Sequence, residues 1–199
     1  CQDKAPSQKG VEAVVALVQL GRSAVPVLCS ALREPEAEVR SAAASLMLML
    51  GTSDPEALQG LKSALDDPDE DVRSYAWMAL SKVAAWQADD LPLILRYVRS
   101  DEADENPLYF GYSALGVLGQ RAPDIVVPAL TRILREEPPP HRGHAADALR
   151  TIGPKAAAAV PALIDALDDA DTDVALRVIM ALAKIGPAAV PHLLKALKG

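Results

Sequence analysis

His141 and His144 stand three residues apart in HRGHAADALRTIG, a spacing that sets two imidazoles on one face of a helix. Two imidazoles are half of a tetrahedral zinc site, and no cysteine pair or carboxylate motif accompanies them, so no metal site is assigned. Asp169-Ala170-Asp171-Thr172-Asp173 spaces its carboxylates like the start of a calcium loop. Val174 then stands where the sharp turn needs glycine, and Met180 where a bidentate glutamate closes the shell, so calcium is rejected. The glycine-rich phosphate loops, the paired-histidine metalloprotease motif and the nucleophile elbow are all missing. The chain therefore reads as non-catalytic, without cofactor or metal.

A different chemistry is concentrated in the middle. All seven aromatic residues, Tyr75, Trp77, Trp86, Tyr97, Tyr109, Phe110 and Tyr112, lie between positions 75 and 112. Trp, Tyr, Met and Arg supply most binding hot spots, so this clustering points to recognition of a partner. Net charge is −7, the wrong sign for a generic nucleic-acid binder, which needs a basic field to neutralise phosphates. Half of the residues are hydrophobic but only 4% are aromatic, so the core must be built from Ala, Leu and Val at close helix contacts. No run of about 18 apolar residues marks a membrane span. Cys29, in VPVLCSALR, is read as an inert small hydrophobe.

A repeat positions these residues. AVPVLCSAL (24–32), ALQGLKSAL (57–65), LPLILRYV (91–98), VVPALTRIL (126–134), AVPALIDAL (159–167) and AVPHLLKAL (189–197) are copies of one line. VRSAAASLMLMLG (39–51), VRSYAWMALSKVA (72–84), PLYFGYSALGVLG (107–119), HRGHAADALRTIG (141–153) and VALRVIMALAKIG (174–186) are copies of a second. In the second line, positions five, eight, nine and twelve are apolar or small throughout, which is helical spacing with one buried face. Proline near the start of the first line and glycine at the end of the second read as a helix start and a left-handed helix stop. Each unit is thus a first helix, a short acidic turn, a second helix and a glycine turn. One such pair cannot bury its own apolar face, and stacking the pairs builds a continuous core. The expectation is an all-α, right-handed α-solenoid of about five helix pairs, with a flanking helix at each end. Residues 1–10 read as a flexible tether and 11–199 as one repeat domain. Leu48 and Met49, in the over-apolar run 46–50, are expected to be covered by the N-terminal helix or a partner.

The pattern A-V-P-x-L-x-x-A-L, acidic-x-D/E-V-R, A-x-x-A-L-x-x-I/L-G resembles HEAT repeats, in the short form described in phycobilisome lyases. The resemblance covers roughly 21–199 and implies the solenoid fold. It also implies a ladder between repeats, with Asp67 and Asp69 as partners for Arg40 or Arg73. The third unit, with Leu108 in place of the arginine, interrupts that ladder. Eighteen of the 27 acids fall in the turns between paired helices, and capping of the following helix explains them better than a ligand does.

In HEAT-like solenoids the second helices line the concave surface. With the core positions assigned as above, their second, sixth and tenth residues are expected to face it, with a neighbouring stripe that adds Met78, Tyr109 and Asp147. That predicts a binding patch of Arg73, Trp77, Met78, Tyr109, Tyr112, Arg142 and Arg150, with Trp77 and Tyr112 at its centre. Tyr75 and Phe110 are expected to fill the core, and Trp86 to plug the turn after the second unit. The function read from this is a scaffold that holds a protein or peptide partner in its groove. A cofactor-handling role like that of the bilin-lyase relatives is the alternative. Nucleic-acid binding, known for DNA glycosylases of this repeat class, is disfavoured by the net charge. Cys1, followed by a polar stretch, resembles the lipidated first residue of a mature bacterial lipoprotein. That would attach the protein to a membrane at the bacterial envelope, in the periplasm on the outer membrane; with an unmodified Cys1 the expectation is cytoplasmic.

Overall fold

A computed structural model describes residues 15–83, 86–99 and 105–198, the side chains of Val83 and residues 105–107 apart. The tether and Cys1 lie outside the described residues. Regular structure within them is entirely helical. A short helix α1 (15–20) is followed by α2 (Val25–Ala31) and α3 (Ala37–Leu50), then α4 (Pro55–Ala64) and α5 (Glu70–Val83). Next come α6 (Leu91–Val98) with α7 (Glu105–Arg121), α8 (Pro123–Glu136) with α9 (Pro139–Ile152), and α10 (Val160–Asp165) with α11 (Thr172–Ile185). Helix α12 (Val190–Ala196) closes the series. The five expected pairs are all present, with a helix at each end.

Contacts divide the chain into two compact units, Cys1–Ala85 and Trp86–Gly199. The division falls where Ala84 replaces the repeat's closing glycine. In the first unit α3 packs on α5; in the second, α7 packs on α9 and α9 on α11. Second helices thus form a layer within each unit, with the first helices behind them.

Local chemistry sets the ends of the elements. Gly51, Gly153 and Gly186 close α3, α9 and α11 at φ of 58°, 68° and 81°, where a side chain would be strained. The expected stop at Gly119 does not occur, because α7 continues to Arg121. Likewise α8 starts at Pro123, which leaves Pro128 inside the helix rather than at its start. Helix α4 starts at Pro55, capped by Asp54, whose carboxylate accepts the Glu56 and Ala57 amides.

The acidic turns serve helix starts and inter-repeat pairing. Arg40 donates two hydrogen bonds to Asp67, Nε to Oδ2 at 2.7 Å and Nη2 to Oδ1 at 2.8 Å. Arg142 does the same to Asp169 at 2.7 and 2.8 Å, again 27 residues on. Asp69 and Asp171 then cap α5 and α11 by accepting the Val72 and Val174 amides. Hydrogen bonds from Arg40 and Arg142 hold the Asp67 and Asp169 carboxyls below the usual carboxylate range. Arg73 turns back on its own turn, donating from Nη1 to the carbonyls of Asp67 and Pro68. Met49 is half exposed, so the cover expected over it is not formed among the described residues.

Candidate helix-layer binding cleft

Within a unit a second helix packs on its own first helix and on the neighbouring second helices, α3 with α5, α7 with α9 and α9 with α11. At 100° per residue, the sixth position of α3, α7 and α9 faces the next helix in the layer rather than the open side. Ala44, Trp77, Tyr112 and Ala146, which hold that position in the first four repeats, are all buried. This corrects the expected patch at its centre. Trp77 has no exposed surface and Tyr112 retains 2%, so neither offers a face to a partner. Arg142 is also removed from the patch, because its guanidinium is committed to Asp169 and to the Glu137 carbonyl. Arg73 and Met78 are half-buried on α5 in the first unit. Tyr75 and Phe110, expected in the core, are only partly buried, whereas Trp86 is buried as expected.

Open positions in the layer are the third, seventh and tenth. In the second unit they bring together Tyr109 and Ser113 of α7 with Asp147 and Arg150 of α9. These residues, with Tyr112, His144, Ala148 and Thr151, line a cleft of about 110 Å³. Of the predicted patch, the structure therefore gathers Tyr109, Tyr112 and Arg150 here, with Tyr112 as the buried floor. Tyr109 projects from the rim at 61% exposure, its ring edge-on to Phe110 at 5.7 Å.

The polar groups of the cleft are fixed by each other. Asp147 Oδ1 accepts from Arg150 Nε at 3.1 Å, and Arg177 of α11 donates to Asp147 Oδ2. Arg177 Nε is held in turn by Asp173 Oδ2 at 2.7 Å. One carboxylate is thus clamped by two guanidinium groups from adjacent helices. Gly143 makes this possible: a Cβ there would meet Arg177 Cδ at 3.2 Å, so a larger residue would crowd the arginine crossing α9. At Gly116 a Cβ would stand 3.0 Å from Thr151, which lets α7 and α9 close up beneath the cleft.

Beneath the rim, Tyr112 ties α7 to α9. Its hydroxyl hydrogen-bonds His141 Nδ1 at 3.1 Å, and its ring stacks on His144 with centroids 5.6 Å apart and planes at 17°. Here the histidines are packing and hydrogen-bonding partners, and among the described residues no cluster of three metal-ligating side chains forms. Burial, followed by the nearby Glu137 charge, raises the Tyr112 hydroxyl well above the usual tyrosine range. Burial, reinforced by the Arg177 charge, lowers His144 below the ordinary histidine value. Asp147 and Asp173 oppose that shift, and His141 adds to it.

The His144 shift has a consequence for stability. A histidine with a lowered folded pKa binds its proton more readily in the unfolded chain, so stability is full above about pH 6.5 and falls as the pH drops below it. Thermal unfolding monitored between pH 7.5 and 5 is expected to show that loss. His144→Gln should flatten the profile; an unchanged pH slope in this variant would remove His144 as the source.

Asp147 fell on the expected neighbouring stripe, whereas His144 and Arg177 had not been picked from the sequence as binding residues. A signal was present: the fourth and seventh positions hold His and Asp in the fourth repeat, against Ala42 and Ser45 in the first.

Stacked helix pairs with an inter-repeat Arg–Asp ladder and an open layer of second helices define a helical-repeat solenoid of the HEAT and armadillo class. The sequence pattern described as HEAT repeats matches residues 10–81, 25–106 and 127–199, and the chain belongs to that family. Among solved structures, a computationally designed armadillo repeat protein for modular peptide recognition aligns with a TM-score of 0.59 at 17% identity, covering 92% of this chain and 96% of that one. An engineered protein aligns at 0.57 and 19% identity, covering 86% and 84%. The complex of CpcE and CpcF of phycocyanin lyase from Nostoc sp. PCC7120 aligns at 0.52 and 21% identity, covering 92% and 74%. At these identities the likeness concerns the fold. No curated protein sequence matches the chain.

Proposed function

We propose that this protein is a non-catalytic interaction scaffold. Its second unit holds an extended peptide or protein loop across α7 and α9. The observation that carries this reading is the exposed Tyr109 ring beside polar groups already fixed in place, Asp147, Arg150 and Thr151. A prearranged rim loses little conformational freedom on binding, and an exposed tyrosine supplies contact area at small entropic cost. The designed armadillo protein, made for modular peptide recognition, supports a peptide ligand. Asp147 is doubly paired and His144 is stacked, so neither is arranged as a general base.

Handling a cofactor, as a relative of phycocyanin lyase, is the second reading and rests on that structural likeness. The cleft, about 110 Å³, is well below the ~300–1,000 Å³ typical of small-molecule sites, which favours a peptide.

Peptides selected from a random display library are the direct functional test. A selected binder should lose affinity at least tenfold, about 1.4 kcal/mol, with Tyr109→Ala combined with Arg150→Ala. The melting temperature should hold to within a few degrees. Binders unaffected by the double variant would refute the cleft. A visible absorbance band in the purified protein would favour the cofactor reading instead.

A further inference from the structure

The charged groups of the α7–α9 cleft offer more hydrogen-bond donors than acceptors. Of the residues that line it, Asp147 and Arg150 carry charge. His144, lowered by burial and then by Arg177, is neutral at pH 7. Arg150 reaches Asp147 Oδ1 with Nε at 3.1 Å and Nη2 at 3.0 Å. Arg177, on α11, donates from Nη1 to Asp147 Oδ2 and from Nε to Asp173 Oδ2. Both carboxylate oxygens of Asp147 are thus engaged. A guanidinium has five N–H groups. Those of Arg150 Nη1 and of Arg177 Nη2 have no acceptor among the described residues. The Arg150 side chain is 41% exposed, so its remaining donors are open to a ligand. A basic ligand residue finds the opposite, because it would have to displace an arginine from Asp147.

The charges around the cleft are compatible with an anion despite the net charge of −7. In the second unit the acidic stretches 101–105, 136–137 and 165–173 stand before or at the starts of α7, α9 and α11, whereas Arg150 lies in the last turn of α9. About 20 Å of helix separates Arg150 from Glu137, more than two screening lengths of about 8 Å at physiological salt. Asp173, at the start of α11, is paired with Arg177. Beside the last turn of α9 stand two lysines. Lys155 donates to the Gln120 carbonyl at 2.7 Å, and Lys184 Cγ lies 3.9 Å from where a Cβ on Gly153 would be. The acids at this end, Asp89, Asp90 and Asp124, lie at the starts of the first helices α6 and α8.

We propose that the segment held by the cleft carries an acidic side chain whose carboxylate accepts from Arg150, while a neighbouring side chain lies on Tyr109. This rests on the peptide-binding reading above and names the class of its ligand. The carboxylate takes the guanidinium donors that Asp147 leaves open. Asp147, itself held by Arg177, fixes the plane of the Arg150 guanidinium, so little freedom is lost when the ligand docks. With Arg177 still on Asp147, Arg150 can serve both acids at once.

Labelled synthetic peptides with sequences selected from a random display library, made with amidated C-termini, serve as probes. Fluorescence anisotropy reads their binding to the 199-residue chain. Binders that Tyr109→Ala weakens by about tenfold or more are the ligands of the cleft. They are expected to share an Asp or Glu, and exchanging that acid for its amide should weaken binding about tenfold. With the Arg150→Gln protein the same exchange should cost less than about twofold, because both changes remove one interaction. Arg150 is partly exposed and Arg177 still pairs Asp147, so circular dichroism should show an unchanged fold for this variant. Tyr109-dependent binders without a required acid overturn the acidic ligand and leave the cleft standing. So does an acid whose exchange costs as much with Arg150→Gln as with the wild type. Binding that appears only when the C-terminus is left free also overturns it, because the carboxylate is then that of the chain end. Binders indifferent to Tyr109→Ala refute the cleft itself, and this inference with it.

Discussion

Trp77→Ala is expected to destabilise the first unit by about 3–5 kcal/mol, the cost of removing a fully buried large side chain and leaving a cavity. The ring sits at the sixth position of α5, among Ala76, Ala79 and Leu80, which are also buried. Urea unfolding measured on both proteins tests this. Peptide binding at the cleft of the second unit should persist at temperatures where the variant is folded. A Trp77→Ala protein with wild-type stability and lost binding would restore the surface role first assigned to this residue.

Tyr112→Ala is expected to cost about 3–4 kcal/mol in the second unit, because it removes a buried ring, its stack on His144 and its hydrogen bond to His141 together. Tyr112→Phe separates the contributions: it keeps the ring and should cost about 1 kcal/mol for the lost hydrogen bond. Tyr109→Ala, three residues away, should change stability by less than about 0.5 kcal/mol. The contrast matters more than either value. Two tyrosines on one helix then divide into one that holds α7 to α9 and one that is open to a ligand. Equal stability losses at both positions would contradict that division.

The repeat was legible from sequence because its signal is redundant. Six copies of one line and five of the other agree on the apolar positions, and glycines at 51, 153 and 186 close helices at positive φ, Gly51 alone in the left-handed conformation anticipated. The ladder followed from resemblance, and Arg40 with Asp67 forms it. The binding face was misplaced by about one residue around the helix. One buried face was assumed for helices that also pack against neighbouring second helices, as α9 does against both α7 and α11. Trp77 and Tyr112 were therefore assigned outward and Tyr75 and Phe110 inward, whereas the first two are buried and the last two only partly so. Helix periodicity identifies a core stripe; it does not show how many neighbours widen it. His144 and Arg177, and the pairing of Arg177 with Asp147, were missed because their meaning depends on contacts between repeats. Asp147 and Arg177, for example, are 30 residues apart in sequence but adjacent across the layer.

The central claim is that the cleft between α7 and α9 receives the partner. Amide chemical-shift mapping tests it most directly: ¹⁵N-labelled protein is titrated with a selected peptide that binds the wild type. The account predicts shifts concentrated at Tyr109, Ser113, Asp147, Arg150 and Thr151, with those of Trp77 unmoved. Shifts confined to the first unit, or to α11 and α12 around Ile179, would contradict it.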